Sequence, residues 1–361
     1  MNTVGYDDTH VLQGLMPSRN APVAQPDWVS AARRTESARG AMVGTAVGDA
    51  LGRPAEARDP ASFRGREEDF RHYQRWSGYV GGPPGTFTDD TQMSICVAES
   101  LLSAGGRIDP HDLAQRFVAW LPEGRGKGQT CVDAVWELQS GAAWWEAGQQ
   151  SAGNGAAMRV APIGIALGHD VNALCFDSAL SAVVTHADPM AVAGAVGHAW
   201  LVARLAAVQS DTLDAASLLD ELASAISVID DPGYPERSWE TRPGKTSVAI
   251  TLASRVREVA DLLAWPTERA FSYLYNGAFV LETLPCALWC FLRDVNDPEE
   301  GVVTAVLGGR DADTVASMAA AYFGALHGVG AFPDRWCGDN LERWDDLVGL
   351  ADELAAIPPL R

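Results

Sequence analysis

The sequence predicts an all-α protein, and three observations carry that prediction. From Thr35 onward, apolar residues recur at three and four positions, the spacing that gathers them on one face of a helix. Asp-Pro pairs at Asp109-Pro110, Asp188-Pro189 and Asp297-Pro298 read as helix starts. In each, the Asp oxygen caps orphan N–H groups, and Pro at the first helical position lacks only an N–H that had no partner. Strand signals are weak, and the segment Ser77 to Val80 is too short to count.

Residues 1–34 read as a separate extension. They carry Pro17, Pro22 and Pro26, few large apolar residues and no sustained period, so they are expected to be flexible or to dock on a partner. Residues 35–361 are expected to form one large helical domain. It opens with Gly40, Gly44 and Gly48, spaced four apart. Each glycine costs a helix about 1 kcal/mol relative to Ala, so the stripe implies close approach of another helix or a ligand. The turn Gly81-Gly82-Pro83-Pro84-Gly85 precedes a helical window from Gln92 to Leu102. Gly124 to Gly128 is a Gly-rich basic loop, read as an ordinary surface loop. Helical windows follow at Cys131 to Trp145, Ala173 to Val184 and Ala191 to Ala207. The long apolar stretch Met190 to Val208 is broken by His198 and Arg204, so it reads as a buried helix, not a membrane span. Asp230 to Lys245 reads as a charged surface insertion, and Val315 to Leu326 as another apolar helix.

Composition narrows the function. The 361 residues include 27 Lys and Arg against 47 Asp and Glu, a formal net charge of −20. Broad DNA or RNA binding is disfavoured, because phosphate affinity comes largely from basic side chains. A local site for a small anion is not excluded. A chain of this length buries enough surface to fold without staples. None of the six cysteines forms a C-x-x-C pair, and Met1 to Asn20 shows no basic segment followed by an apolar run. A cytoplasmic protein with free core thiols and no membrane contact is expected.

Four constellations could carry chemistry. Gly85-Thr86-Phe87-Thr88-Asp89-Asp90-Thr91 runs straight into an apolar helix. Thr and Asp at a helix start are ordinarily caps, but two adjacent carboxylates exceed what a cap needs and repel unless a cation sits there. Gly308-Gly309-Arg310-Asp311-Ala312-Asp313-Thr314 repeats the design. If the two segments meet, Thr88, Asp89, Asp90, Asp311, Asp313 and Thr314 offer hard oxygen donors for two Mg²⁺ or Mn²⁺ ions; if they do not, they are two independent caps. The glycine stripe ends in Gly48-Asp49-Ala50-Leu51-Gly52, with Glu56 just beyond. Gly153-Asn154-Gly155-Ala156-Ala157-Met158-Arg159 lacks the third glycine of a dinucleotide fingerprint, though its amides could cradle a phosphate. His186 could contact a ligand or sit satisfied beside a capped helix start.

Taken in this order, Gly-Asp-Ala-Leu-Gly with Glu56 downstream, Thr-Asp-Asp-Thr, Gly-Asn-Gly-x-x-Met-Arg and Asp-Ala-Asp-Thr resemble the ADP-ribosylglycohydrolases from about Gly40 to Gly328. The resemblance implies a compact orthogonal bundle of many helices around a central binuclear Mg²⁺ or Mn²⁺ site. It implies metal ligands at Thr88, Asp89, Asp90, Asp311, Asp313 and Thr314. Catalytic roles would fall to Glu56, Asp90 and Asp311, and substrate binding to Asp49, Gly85, Asn154, Gly155, Met158 and His186. The implied reaction is hydrolysis of the bond between ADP-ribose and a modified target, a protein side chain or a small molecule. ADP-ribose would be the product. Many members read Gly-Gly-Asp before the last motif; here Arg310 intervenes between Gly309 and Asp311, which puts that loop's fine geometry in question but not the ligands. Three other readings remain at this point: an ADP-ribose-binding member without catalysis, an immunity-type protein that blocks a toxin partner through the N-terminal extension, and a two-metal phosphohydrolase releasing AMP.

Overall fold

The computed structural model describes residues 12, 14–17, 23–26, 30–76, 81–229 and 250–358. Helices dominate them, and no strand forms among the described residues beyond isolated β-bridges. In chain order the helices are α1 (Ala31–Gly52), α2 (Asp89–Ser103), α3 (Pro110–Trp120), α4 (Gln129–Gln139), α5 (Ala161–Leu167), α6 (Val171–Val183) and α7 (Pro189–Ala206). Then come α8 (Ala215–Ile226), α9 (Leu252–Leu262), α10 (Thr267–Leu274), α11 (Val280–Arg293), α12 (Pro298–Leu307), α13 (Ala312–His327) and α14 (Trp344–Ala356). The all-α expectation therefore holds. Ser77 to Val80, Asp230 to Lys245 and most of residues 1–34 lie outside the described residues.

The three Asp-Pro pairs start α3, α7 and α12. Asp109 accepts from the amides of His111 and Asp112, Asp188 from those of Met190 and Ala191, and Asp297 from that of Glu300. Helix α1 begins at Ala31, before Thr35, because Ser30 caps it by accepting from the Arg33 amide. The window Cys131 to Trp145 breaks early. Helix α4 ends at Gln139, and Gly141 turns the chain at φ +98°, a left-handed conformation that costs glycine nothing.

The described pieces of the first 34 residues pack on the chain's own helices. Leu12 and Leu15 are buried. Trp200 of α7 donates its indole N–H to Ala24 O at 3.0 Å. Gln25 donates to Gly168 O at 2.7 Å and accepts from the Val171 amide at 2.8 Å, bridging α5 and α6. These contacts are internal, so they lend no support to an arm that recruits a toxin.

The glycine stripe of α1 explains how the site is positioned. A Cβ on Gly40, Gly44, Gly48 or Gly52 would collide with backbone of Gly324, Ala320, Ala316 or Ala312 respectively. Each step of four forward along α1 is thus a step of four backward along α13. The helices are antiparallel and in backbone contact, which only small residues allow. That register sets the C-terminal end of α1 beside the N-terminal end of α13. Helix α7 is, among the described residues, the one long and apolar enough to cross a membrane by composition, but 83% of it is buried inside the protein. It packs against α5, α6, α8, α11 and α13 as a core helix.

Candidate active site

Three helix ends meet: the C-terminus of α1 and the N-termini of α2 and α13. Thr88 occupies the cap position of α2, with φ −117° and ψ −154°, yet its side chain caps nothing. The cap comes from α1. Asp49, fully buried, accepts from the Thr88 amide at 2.9 Å and the Thr88 hydroxyl at 2.7 Å. It also accepts from the Thr91 amide at 3.1 Å and hydroxyl at 2.6 Å. The geometry therefore places Asp49 behind the site, occupied by four donors, where it locks α2 onto α1. Asp49→Asn cannot reproduce this set, because its amide would point N–H groups at other donors. A loss of about 1–3 kcal/mol is expected from the unmade bonds. A fall in the urea midpoint at unchanged slope checks it.

The loop before α13 is held open by backbone bonds. Gly309 and Arg310 both take positive φ, +59° and +55°. A side chain at positive φ is uncommon outside glycine, and here tertiary contacts hold it. The Arg310 amide donates to Arg58 O at 2.9 Å, and its carbonyl accepts from the Ala57 amide at 2.6 Å. The Arg310 guanidinium donates to Tyr275 O at 3.2 Å and stacks over the Tyr275 ring at 4.3 Å. Asn276, deep in the core, accepts from the Asp311 amide through its carbonyl and donates through its side chain to Gly309 O. These contacts accommodate the intervening Arg310 between Gly309 and Asp311. The same pairing draws Glu56 in: one carboxylate oxygen each from Glu56, Asp311 and Asp313 lie within 4.8 Å of one another.

Asn154 faces this cluster, donating to Asp311 Oδ2 at 2.5 Å and to Thr283 Oγ1 at 2.9 Å. Its loop is tied to the α11 start, since the Asn154 amide donates to Ala278 O. Gly155 lies so close to Cys131 and His186 that a Cβ would be 2.9 Å from either side chain. His186 is buried and its Nδ1 pairs with the Thr185 hydroxyl at 2.8 Å. Burial, and then the charge of Arg159, pushes its pKa down to about 3, so the imidazole is neutral. Met158 is buried in the core beneath the loop. Gly85, at φ +80°, contacts the C-terminal segment: Asn340 O would clash with a Cβ, and the Glu342 amide donates to Gly85 O.

Electrostatics mark the acidic cluster as one unit. Burial raises Asp89 to about 8 and Asp311 to about 6. It lifts Asp90 and Asp313 well above the usual carboxylate range. After burial, Asp90 is pushed up by Asp49, Asp313, Asp89 and Asp311, so the α2 and α13 acids feel one another. Asp90 Oδ1 is buried with no hydrogen-bond partner. A buried acceptor without a donor is costly, and a ring of mutually repelling carboxylates is costlier. This donor set suits a hard divalent cation. Thr314 joins it at the start of α13, its amide donating to Asp313 Oδ1 at 3.1 Å and its side chain bonding to Asp311.

The sequence reading missed several contributors. Gly128 N donates to Asp89 Oδ2 at 3.1 Å. A Cβ on Gly126, at φ +68°, would sit 3.1 Å from Thr88 and from Arg53. The basic loop therefore closes over the first acidic motif. Asn276, Thr283 and Arg53 also contribute. Asn276 and Thr283 lie far in sequence from the acids they serve, and Arg53 reaches Asp313 across 260 residues.

A family model described as ADP-ribosylglycohydrolase matches residues 30–360. The chain belongs to the ADP-ribosylglycohydrolase family. Its relatives include the uncharacterized protein YegU of Escherichia coli (strain K12), 31% identical over 82% of this chain and 90% of the relative. ADP-ribosylhydrolase ARH3 of Homo sapiens is 30% identical over 90% of this chain and 94% of its own. A solved structure titled ADP-ribosylglycohydrolase-related protein complex superposes with TM-score 0.66 at 29% identity, covering 90% of this chain and 99% of that one. As a family member, this chain is a hydrolase acting on ADP-ribose linkages.

Proposed function

We propose that this ADP-ribosylglycohydrolase cleaves the glycosidic bond between ADP-ribose and a modified target, a protein side chain foremost, and that it depends on two Mg²⁺ or Mn²⁺ ions. The observation that carries the metal reading is the buried, unpartnered Asp90 Oδ1 among carboxylates from two helix starts. Thr88, Asp89, Asp90, Asp311, Asp313 and Thr314 would hold the ions. The chemistry such ions supply is charge next to the ribose hydroxyls and activation of water.

The chain's own residues do the rest. Glu56, its side chain partly exposed, can exchange a proton with solvent and substrate. It would hand a proton to the leaving atom as the anomeric bond breaks, while water adds to the anomeric carbon. Asp90 and Asp311 place negative charge beside the oxocarbenium-like transition state. Asn154 holds Asp311 in orientation. Gly155 lets the loop lie flat against neutral His186, and with Asn154 and Met158 it shapes the ADP-ribose side. The six cysteines are unpaired and five are buried, which supports a reducing compartment such as the cytoplasm.

A release assay on substrates of defined linkage tests the reading. Free ADP-ribose is the expected product, and AMP would overturn it in favour of a phosphohydrolase. Glu56→Gln is expected to lower kcat by about 10²–10⁴-fold, the usual worth of a positioned general acid or base. ADP-ribose affinity should change little. Unchanged turnover would remove Glu56 from the mechanism.

A further inference from the structure

Arg53 takes no part in the ligand set or the mechanism above, yet it reaches into the acidic cluster. It follows α1 directly and begins the short turn Arg53–Ala55. Its guanidinium Nη1 is ion-paired with the Glu56 carboxylate and lies 3.2 Å from Asp313 Oδ2. The Trp76 ring centroid lies 5.1 Å from the guanidinium carbon, and the Gly126 backbone approaches the same group. The positive charge of Arg53 pulls Asp89, Asp311 and Asp313 down against the burial that raises them. Asp313 uses Oδ1 to accept from the Thr314 amide, so Oδ2 is the oxygen turned to the cluster, and Arg53 has it.

We propose that Arg53 is the resident counter-cation of this site: it holds Glu56 and Asp313 when no divalent ion is bound, yields Asp313 when one binds, and so sets the affinity for the ion. This rests on the metal reading proposed above. Asp313 belongs to the proposed ligand set and shares a 4.8 Å cluster with Glu56 and Asp311, so Arg53 and a divalent ion compete for its oxygen. A guanidinium is permanently charged, with flat N–H donors that suit carboxylates. A divalent ion brings twice the charge to closer range, so it displaces Arg53 rather than sharing with it. The displaced group has somewhere to stay. Both Arg53 and Glu56 are partly exposed, and the Trp76 face attracts a cation.

The test uses the full chain and Mn²⁺ alone, without substrate. Arg53→Gln removes the charge, and Arg53→Lys keeps it on a different head group. Calorimetric Mn²⁺ titration should show about tenfold or tighter binding for R53Q, the effect of deleting one unit charge a few ångströms from the ion. In EDTA, R53Q should unfold at a lower temperature than wild type, and R53K should lie between them in both measurements. Equal or weaker Mn²⁺ binding by R53Q, or an unchanged unfolding temperature in EDTA, overturns the role of Arg53 alone. Failure of both wild type and R53Q to bind Mn²⁺ overturns the metal reading and this proposal with it. If R53Q does not fold, R53K decides: wild-type affinity and stability together refute displacement of the guanidinium.

Discussion

Asp90→Asn is expected to stabilise the metal-free protein while ending hydrolysis. The Asp90 carboxylate is buried, has an unpartnered oxygen and is surrounded by Asp49, Asp313, Asp89 and Asp311. Its neutral, near-isosteric replacement removes repulsion and a desolvated charge. A gain of about 1–3 kcal/mol is reasonable for relieving such a group. The pH dependence has a definite sign. These carboxyls have folded pKa values raised above the ordinary 3.8, to about 6 for Asp311 and about 8 for Asp89. The folded state therefore binds more protons than the unfolded one across that window, and metal-free stability falls as pH rises through it. Thermal unfolding in EDTA at both ends of the window should show this fall for wild type and a smaller one for D90N. With Mn²⁺ the order inverts. Wild type gains about 2.7 kcal/mol at an ion concentration a hundred times the Kd. D90N gains far less, because even outer-shell losses at metal sites cost about 10–100-fold in affinity. A D90N protein that is destabilised in EDTA and responds to Mn²⁺ like wild type would show that Asp90 is not a ligand.

Gly48→Ala is expected to cost several kcal/mol and to impair the site from behind. On propensity alone the substitution would add about 1 kcal/mol to α1. Packing reverses the sign. The new Cβ would sit 2.1 Å from Ala316 O, 2.3 Å from Ala316 C and 2.5 Å from Ser317 N. All three are backbone atoms of α13, so no side chain can move aside, and α1 and α13 must separate. Overpacking of a core typically costs about 1–3 kcal/mol, and a backbone collision lies at or above the top of that range. Separation also moves Asp49 away from α2 and Arg53 away from Asp313. Urea unfolding and Mn²⁺ titration should both worsen. An Ala variant as stable as wild type would disprove the close contact.

The residues differ in how legible they were. The Asp-Pro helix starts were readable because capping involves a residue and amides two or three positions away. The four acidic positions after glycine turns were readable as pairs on helix starts, and the ordered motifs identified the family. The glycine stripe signalled close approach but did not name α13 as the partner. Asp49, to which the family resemblance gives a substrate-binding role, accepts from the amides and hydroxyls of Thr88 and Thr91, a role that depends on α2 lying against α1. The Gly124 to Gly128 loop looked ordinary because its bond to Asp89 spans 39 residues.

By itself, the sequence determined the helical class, the Asp-Pro helix starts, the acidic residues at the starts of α2 and α13 and the family, since each rests on residue chemistry or short-range spacing. The tertiary structure decided which donors meet and what opposes their charge. Arg53 and Asp313 are 260 residues apart, and Asn154 and Asp311 are 157 apart. The first depends on the antiparallel register of α1 and α13, which comes from backbone contact between glycine and alanine surfaces, and the second on the loop of Asn154 being tied to Ala278 before α11.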